Sequence, residues 1–286
     1  MTFVKRRIDV TITLGSGQFG EEKGDTVTLT GYRVVADMAA IGGDAQGQLQ
    51  LQIFGMPLDL MNRLTTIGPV MTEIRGKNSI LVAAGDEGGV LSVLFEGTID
   101  QAYANFQTMP DVVFNISALS ALTQAVKPVG AKSYKGSTDV VGVMKTLADE
   151  MGFAFENNGV DVRLNSPYFP GTSLQQVKLC ARAAGINYTT DRGVLAIWPQ
   201  GGARGGDIPL IAFDTGLVGY PAFSSNGLVV TTLYIPSVKQ GGQVDIESSL
   251  TVASGRWNVF SVVHSLSSER VGGPWFTQIA CYRAPT

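Results

Sequence analysis

Three groups of residues in the 286-residue chain have types and spacing that suit chemistry. The first is Gly15-Ser16-Gly17-Gln18-Phe19-Gly20, which matches the G-x-G-x-x-G pattern of a phosphate cradle. A dinucleotide site needs a helix directly after the glycines, because the helix N-terminus holds the pyrophosphate. Here Thr26 to Val35 alternates apolar and polar residues as a strand does. A kinase loop fails as well. There is no V-A-I-K lysine and no D-F-G, and the single histidine, His264, is followed by Ser265. The segment reads as a loop between strands.

The second group is Asp149, Glu150 and Glu156, with His264 far along the chain. Two carboxylates flanking a sugar bond can hydrolyse it. Glu150 lies at the end of an expected helix, however, where acids are commonly solvated. A single histidine excludes H-E-x-x-H and any Cys/His cluster, and G-x-S-x-G is absent. His264 therefore reads as a hydrogen-bonded strand residue near a subunit contact. The third group, Trp198, Trp257 and Trp275, offers rings for stacking on sugars, but tryptophans in strands commonly anchor cores or interfaces. Cys180 and Cys281 read as two reduced core thiols. The sequence thus assigns no catalytic, cofactor-binding or metal-ligating residue, and no cofactor.

The elements that carry these residues are mostly strands. Arg7 to Leu14 and Gln48 to Phe54 alternate with period two. Asn78–Ala84, Val90–Phe95, Thr98–Phe106 and Asp111–Ile116 follow as strands between glycine-rich turns. Met56-Pro57 opens a short helix with Leu60, Met61 and Leu64 on its apolar face, stopped at Gly68-Pro69. Ala118 to Ala131 is a weak helix or connector. Two amphipathic helices come next, one capped at Ser137-Thr138-Asp139 and ended by Gly152, the other capped at Thr172-Ser173 and ended by Gly185. Each precedes an expected hairpin, the first around Asn157-Asn158-Gly159 and the second around Asp191-Arg192-Gly193. Gln200 to Gly206 has the composition of a linker. Strands then resume at Leu228–Ile235, Val244–Ile246, Trp257–Leu266 and Trp275–Tyr282.

The fold class predicted is mainly β with an α+β insert: two β-barrel or sandwich domains flanking a small α+β domain. The boundaries are 1–118 for the first β domain, 119–133 for a connector, 134–199 for the insert, 200–207 for the linker and 208–286 for the second β domain.

Composition bounds the function. Charged residues make up 16% and the net charge is −3, so an excess of cations for holding nucleic acid is lacking. No apolar run is long enough for a membrane-spanning helix. Mean hydropathy is nevertheless +0.17. From Ile208 to Val238 the one charged residue is Asp214. A chain of this kind hides much of its surface in an assembly.

Several stretches, in order and spacing, resemble the baseplate hub proteins of tailed bacteriophages, of the tail protein D and contractile-tail hub type. They are Arg7-Ile8-x-Val10 with Tyr32-Arg33-Val34-Val35-Ala36; Gln50 to Met56 running into Leu60-Met61-Asn62-Arg63-Leu64-Thr65-Thr66-Ile67-Gly68; and Val82-Ala83-Ala84-Gly85-Asp86 leading to Val93 through Ile99. Glu156 to Val160 then leads through Ser166–Gly171 to Ile197-Trp198-Pro199, and the last stretch runs from Trp257-x-Val259 through Val263-His264-x-Leu266 to Gly272-Gly273-Pro274-Trp275. The resemblance implies tail-tube-like β domains and a trimeric, pseudo-sixfold ring in the virion, made in the host cytoplasm. It implies partners: a tail tube or distal tail protein above, a spike or tail-tip protein below, and the tape-measure protein and transiently DNA in the lumen. It implies neither an enzyme nor membrane insertion. Two alternatives rest on the residues above: a tail-associated peptidoglycan hydrolase using the acids and His264, and a carbohydrate-binding host-recognition module using the tryptophans.

Overall fold

The computed structural model describes residues 4–15, 19, 24–65, 78–107, 109–225 and 227–283. It is mostly β, with 47% strand and 15% helix, as the sequence predicts. Most of the Gly15–Gly20 loop and the Gly68-Pro69 helix stop lie outside the described residues. The chain forms two compact units: unit 1 is Met1–Ala39, Gly47–Thr123 and His264–Phe276, and unit 2 is Ala40–Gln46, Gln124–Val263 and Thr277–Thr286.

Unit 1 is built on β1 (Arg6–Thr13), β2 (Thr26–Leu29), β3 (Arg33–Ala40), β4 (Gln48–Phe54), β5 (Ser79–Asp86), β6 (Ser92–Asn105) and β7 (Val113–Leu119). Their order is β3-β4-β7-β6-β5-β1-β2. These neighbours pair antiparallel. Alternation decides which face is buried. In β4, Leu49, Leu51 and Ile53 are buried while Gln48, Gln50 and Gln52 face outward. Register places apolar residues opposite one another, Leu51 against Ile116 and Ile53 against Phe114. The short helix α1 (Leu58–Leu64) buries Leu60, Met61 and Leu64, the face the sequence predicts.

Two expectations are corrected here. Val90–Phe95 and Thr98–Phe106 are not separate strands, because β6 runs through Gly97 without a break. A Cβ there would sit 2.6 Å from the Leu119 carbonyl oxygen and 2.7 Å from the Phe95 ring. Gly97 permits close packing; it makes no turn. Ala118, expected to start a weak helix or connector, is instead buried at the end of β7, opposite Leu49 and Ile99. The helix that follows, α2, spans only Leu122–Val126.

Unit 2 contains an α+β block and a set of strands. The block holds β8 (Lys132–Ser133), β9 (Ser137–Asp139), α3 (Val140–Met151), β10 (Ala154–Asn157), β11 (Arg163–Asn165), β12 (Tyr168–Phe169), α4 (Ser173–Ala184), β13 (Ile186–Asp191) and β14 (Val194–Pro199). Asp139 caps α3 through a 2.8 Å bond from Gly142 N, and Thr172 caps α4 through Gln175 N. Left-handed Gly152 and Gly185 end the two helices. Val143, Met144, Leu147, Val177, Cys180, Leu195 and Ile197 share one core. The second hairpin forms as predicted, β13 against β14.

The first hairpin does not form. β10 pairs in parallel with β14, and β11 pairs with β9. Asn158 draws the chain to β14: its backbone N–H and Nδ2 both donate to the Ile197 carbonyl, at 2.9 and 3.2 Å. Asn157 Oδ1 turns the chain by accepting from Val160 N. The turn forms, but its arms bond to other strands.

The remaining strands are β15 (Leu210–Ile211), β16 (Ala222–Ser224), β17 (Gly227–Leu233), β18 (Gln243–Ile246), β19 (Gly255–Ser268) and β20 (Trp275–Tyr282). In unit 2 the order is β16-β17-β20-β19, with β18 on β19 and β15 on β18. Their core includes Leu228, Val230, Val244, Trp257, Val259 and Ile279. Among the described residues no helix is long and apolar enough to cross a membrane.

Candidate assembly surface

The charge-poor stretch 208–238 lies in unit 2 and exposes aromatic side chains. Phe213 is 91% exposed, Tyr220 73% and Phe223 60%. Ala222, Phe223 and Ser224 of β16 are all exposed, and this strand ends the order beside β17. The strand carries no charged residue of the kind that deters an edge from pairing with another chain. Exposed Phe and Tyr side chains in a segment depleted of charge match the composition at the centre of a protein interface.

The same unit contains a cleft of about 590 Å³. Trp198, Val259, Phe260 and Tyr282 supply apolar wall, and Asp44 and Arg182 supply charge. Asp44 Oδ2 accepts from Lys178 Nζ at 2.8 Å and from Arg182 Nη2 at 2.5 Å. Burial pushes the Asp44 carboxyl up, but these two cations outweigh it and hold the group below the usual carboxylate range. Tyr188, a long 3.5 Å from Asp44 Oδ1, is pushed up to about 12, by burial first and by Asp44 second.

Two of the three acids read as candidate hydrolase groups, Glu150 and Glu156, are engaged in ion pairs. Glu150 bonds Lys132 at 2.5 Å. Glu156 accepts two bonds from Arg204, whose side chain is 3% exposed. Burial raises the Glu156 carboxyl, and Arg204 more than reverses this, leaving it below the ordinary value. Asp191 stands 3.6 Å from Arg204 Nη1 and bonds Arg192. Asp149 is exposed on α3. His264 is 4% exposed and belongs to unit 1, whereas all three acids belong to unit 2. Among the described residues, no three His, Cys, Asp or Glu side chains are grouped to hold a metal ion.

The tryptophans are likewise covered. Trp198, Trp257 and Trp275 are 4–6% exposed, so none offers an open platform for a sugar ring. Trp257 Nε1 donates to the Ala253 carbonyl at 2.9 Å, and Arg6 lies 5.2 Å from the Trp275 ring. Both cysteines are free and buried, and burial pushes each thiol up to about 12, which leaves it inert. Sequence reasoning missed Arg204. A cation amid glycines carried no periodic signal, and the linker composition concealed a buried anchor.

Solved structures that share this fold include phage-tail and secretion-system proteins. The tail protein from Neisseria meningitidis MC58 superposes with a TM-score of 0.63 at 11% identity, covering 96% of each chain. The 43 kDa tail protein of prophage MuSo2 from Shewanella oneidensis gives 0.60 at 11% identity, over 96% of this chain and 97% of that one. The E. coli c3393 protein gives 0.59 at 10% identity, over 87% and 73%. It is described as a component of the type VI secretion system, similar in structure to the T4 bacteriophage tail proteins gp27 and gp5. At such identities the likeness defines the fold: a phage-tail protein fold. No curated protein sequence matches. The family model for Baseplate hub gp41 matches residues 7–281, and the chain belongs to that family.

Proposed function

We propose that the chain is a structural hub of a phage baseplate. Three copies form a pseudo-sixfold ring, each contributing two tube-like β domains, 1–118 and 208–286, with the 134–199 block between them. The ring joins the tail tube or distal tail protein above to the spike below. Its lumen admits the tape-measure protein and, during ejection, DNA. The chain is made in the host cytoplasm and acts in the virion without bond chemistry.

One observation carries this reading: a member of a baseplate hub family exposes a charge-poor strip with Phe213, Tyr220 and Phe223 open to solvent. Large exposed apolar residues of this kind mark surfaces that other chains cover. The net charge of −3 suits a conduit, since a mildly acidic wall does not retain phosphates. Engagement of Glu150 and Glu156 by Lys132 and Arg204 speaks against the hydrolase alternative, and burial of the tryptophans speaks against a sugar platform.

Cryo-electron microscopy of the assembled tail tip tests it. The expected density is three copies around the tail axis, with an open lumen and the 208–238 strip covered. A copy number other than three, or a position off the axis, would overturn the ring.

A further inference from the structure

The turn after β15 presents Phe213 as a fixed knob. Thr215 Oγ1 accepts from Ala212 N and donates to the Leu210 carbonyl, both at 2.8 Å. Leu217 N donates to the Ala212 carbonyl at 2.9 Å. The backbone is thus tied at both ends of a turn whose phenyl ring stands 91% exposed. Leaving such a ring in water rather than burying it is unfavourable. An anchor already held in place loses little entropy on docking. Phe213 does not line its own chain's cleft. Beside it is Asp214, the one charge between Ile208 and Val238.

The cleft is complementary to this pair. Its wall offers Phe260, 48% exposed, and the half-buried Tyr282 to a phenyl ring. Its charged group sets two cations, Lys178 and Arg182, on one carboxylate, Asp44, which leaves one positive charge in excess. Arg182 is 63% exposed and can meet a second carboxylate.

We propose that Phe213 of one copy seats in this cleft on the next copy, with Asp214 facing Arg182. The inference rests on the ring reading above and names the contact that makes the ring. Knob and cleft are different surfaces, so the contact is head-to-tail, and such contacts close into rings when the rotation between copies allows.

The test uses the full chain with the photo-crosslinking residue p-benzoylphenylalanine at position 213, mixed with isotope-labelled chain. Mass spectrometry then reads the intermolecular products. Crosslinks to segments 41–46, 181–198 or 259–261 are expected. Oligomers whose crosslinks fall elsewhere, or that give none, overturn the cleft contact and leave the ring standing. A chain that stays monomeric at every concentration overturns both. As a second variant, Phe213→Ser weakens association at least about tenfold. It leaves thermal unfolding unchanged, because the side chain is exposed. Unchanged association in this variant overturns the contact.

Discussion

Arg204 grips Glu156 with two nitrogens, Nε 3.0 Å from Oε1 and Nη2 2.9 Å from Oε2. The pairing ties the glycine-rich segment after β14 to strand β10. The same segment is fixed at its backbone: Arg204 N donates to the Gly241 carbonyl at 2.6 Å, and Gly205 N to Asn158 Oδ1 at 2.7 Å. A stretch with the composition of a flexible linker is a clamped joint.

Arg204→Met removes the cation and leaves the partly buried Glu156 without its partner, and the buried Asp191 with Arg192 alone. Breaking a buried pair from one side leaves a charge uncompensated. We expect a loss of about 2–4 kcal/mol, below the top of the usual range because Glu156 is 30% exposed. Urea unfolding measures this. A loss within experimental error would show that the pair contributes nothing.

The lowered carboxyls of Glu156 and Asp44 set a pH dependence. Both are more acidic folded than unfolded, so the folded state binds fewer protons through the acid range. Their contribution is complete above the unfolded carboxylate values, roughly 4. It is lost as pH falls through the lower folded values. Stability therefore declines below about pH 4–5, and Glu156→Gln makes that decline shallower. A Gln variant with an unaltered acid slope, measured by thermal unfolding across pH, contradicts the assignment.

Gly241 has φ +80°, and a Cβ there would lie 2.5 Å from Trp198 Cζ2. Gly241→Ala thus combines a left-handed backbone with an overpacked indole and costs about 2–4 kcal/mol. Trp198 must shift, which changes the wall of the cleft. Thermal unfolding reads the loss, and tryptophan fluorescence reads the shift. A variant as stable as the parent would show that this contact relaxes freely.

Much of this fold was legible because local rules and burial agree. In β4 the glutamines and aliphatics alternate without exception, and the structure buries the aliphatics. In α3 the cap, the apolar face and Gly152 all point to one helix, which forms at Val140–Met151. The failures occur where a residue's role depends on a distant partner. Gly97 reads as punctuation but yields room to Phe95 and the Leu119 carbonyl. The Asn157-Asn158-Gly159 turn is real, but its first arm joins β14 through Ile197, about 40 residues on, and its second arm joins β9. For the candidate surface, the absence of charge from Ile208 to Val238 was visible in the sequence, whereas the exposure of Phe213 and the existence of the cleft required the tertiary structure.

Cell-wall digestion is expected to be absent. Glu150 and Glu156 are held by Lys132 and Arg204, and His264 is buried in the other unit. A zymogram on bacterial peptidoglycan should show no clearing. Clearing that disappears in Glu150→Gln would instead assign a hydrolase.

The most direct test of the account is the mass of the particle in solution across a concentration series, alone and with neighbouring tail proteins. The account predicts a discrete species at three times the 30.3 kDa chain mass. A single 30.3 kDa species under every condition would contradict it.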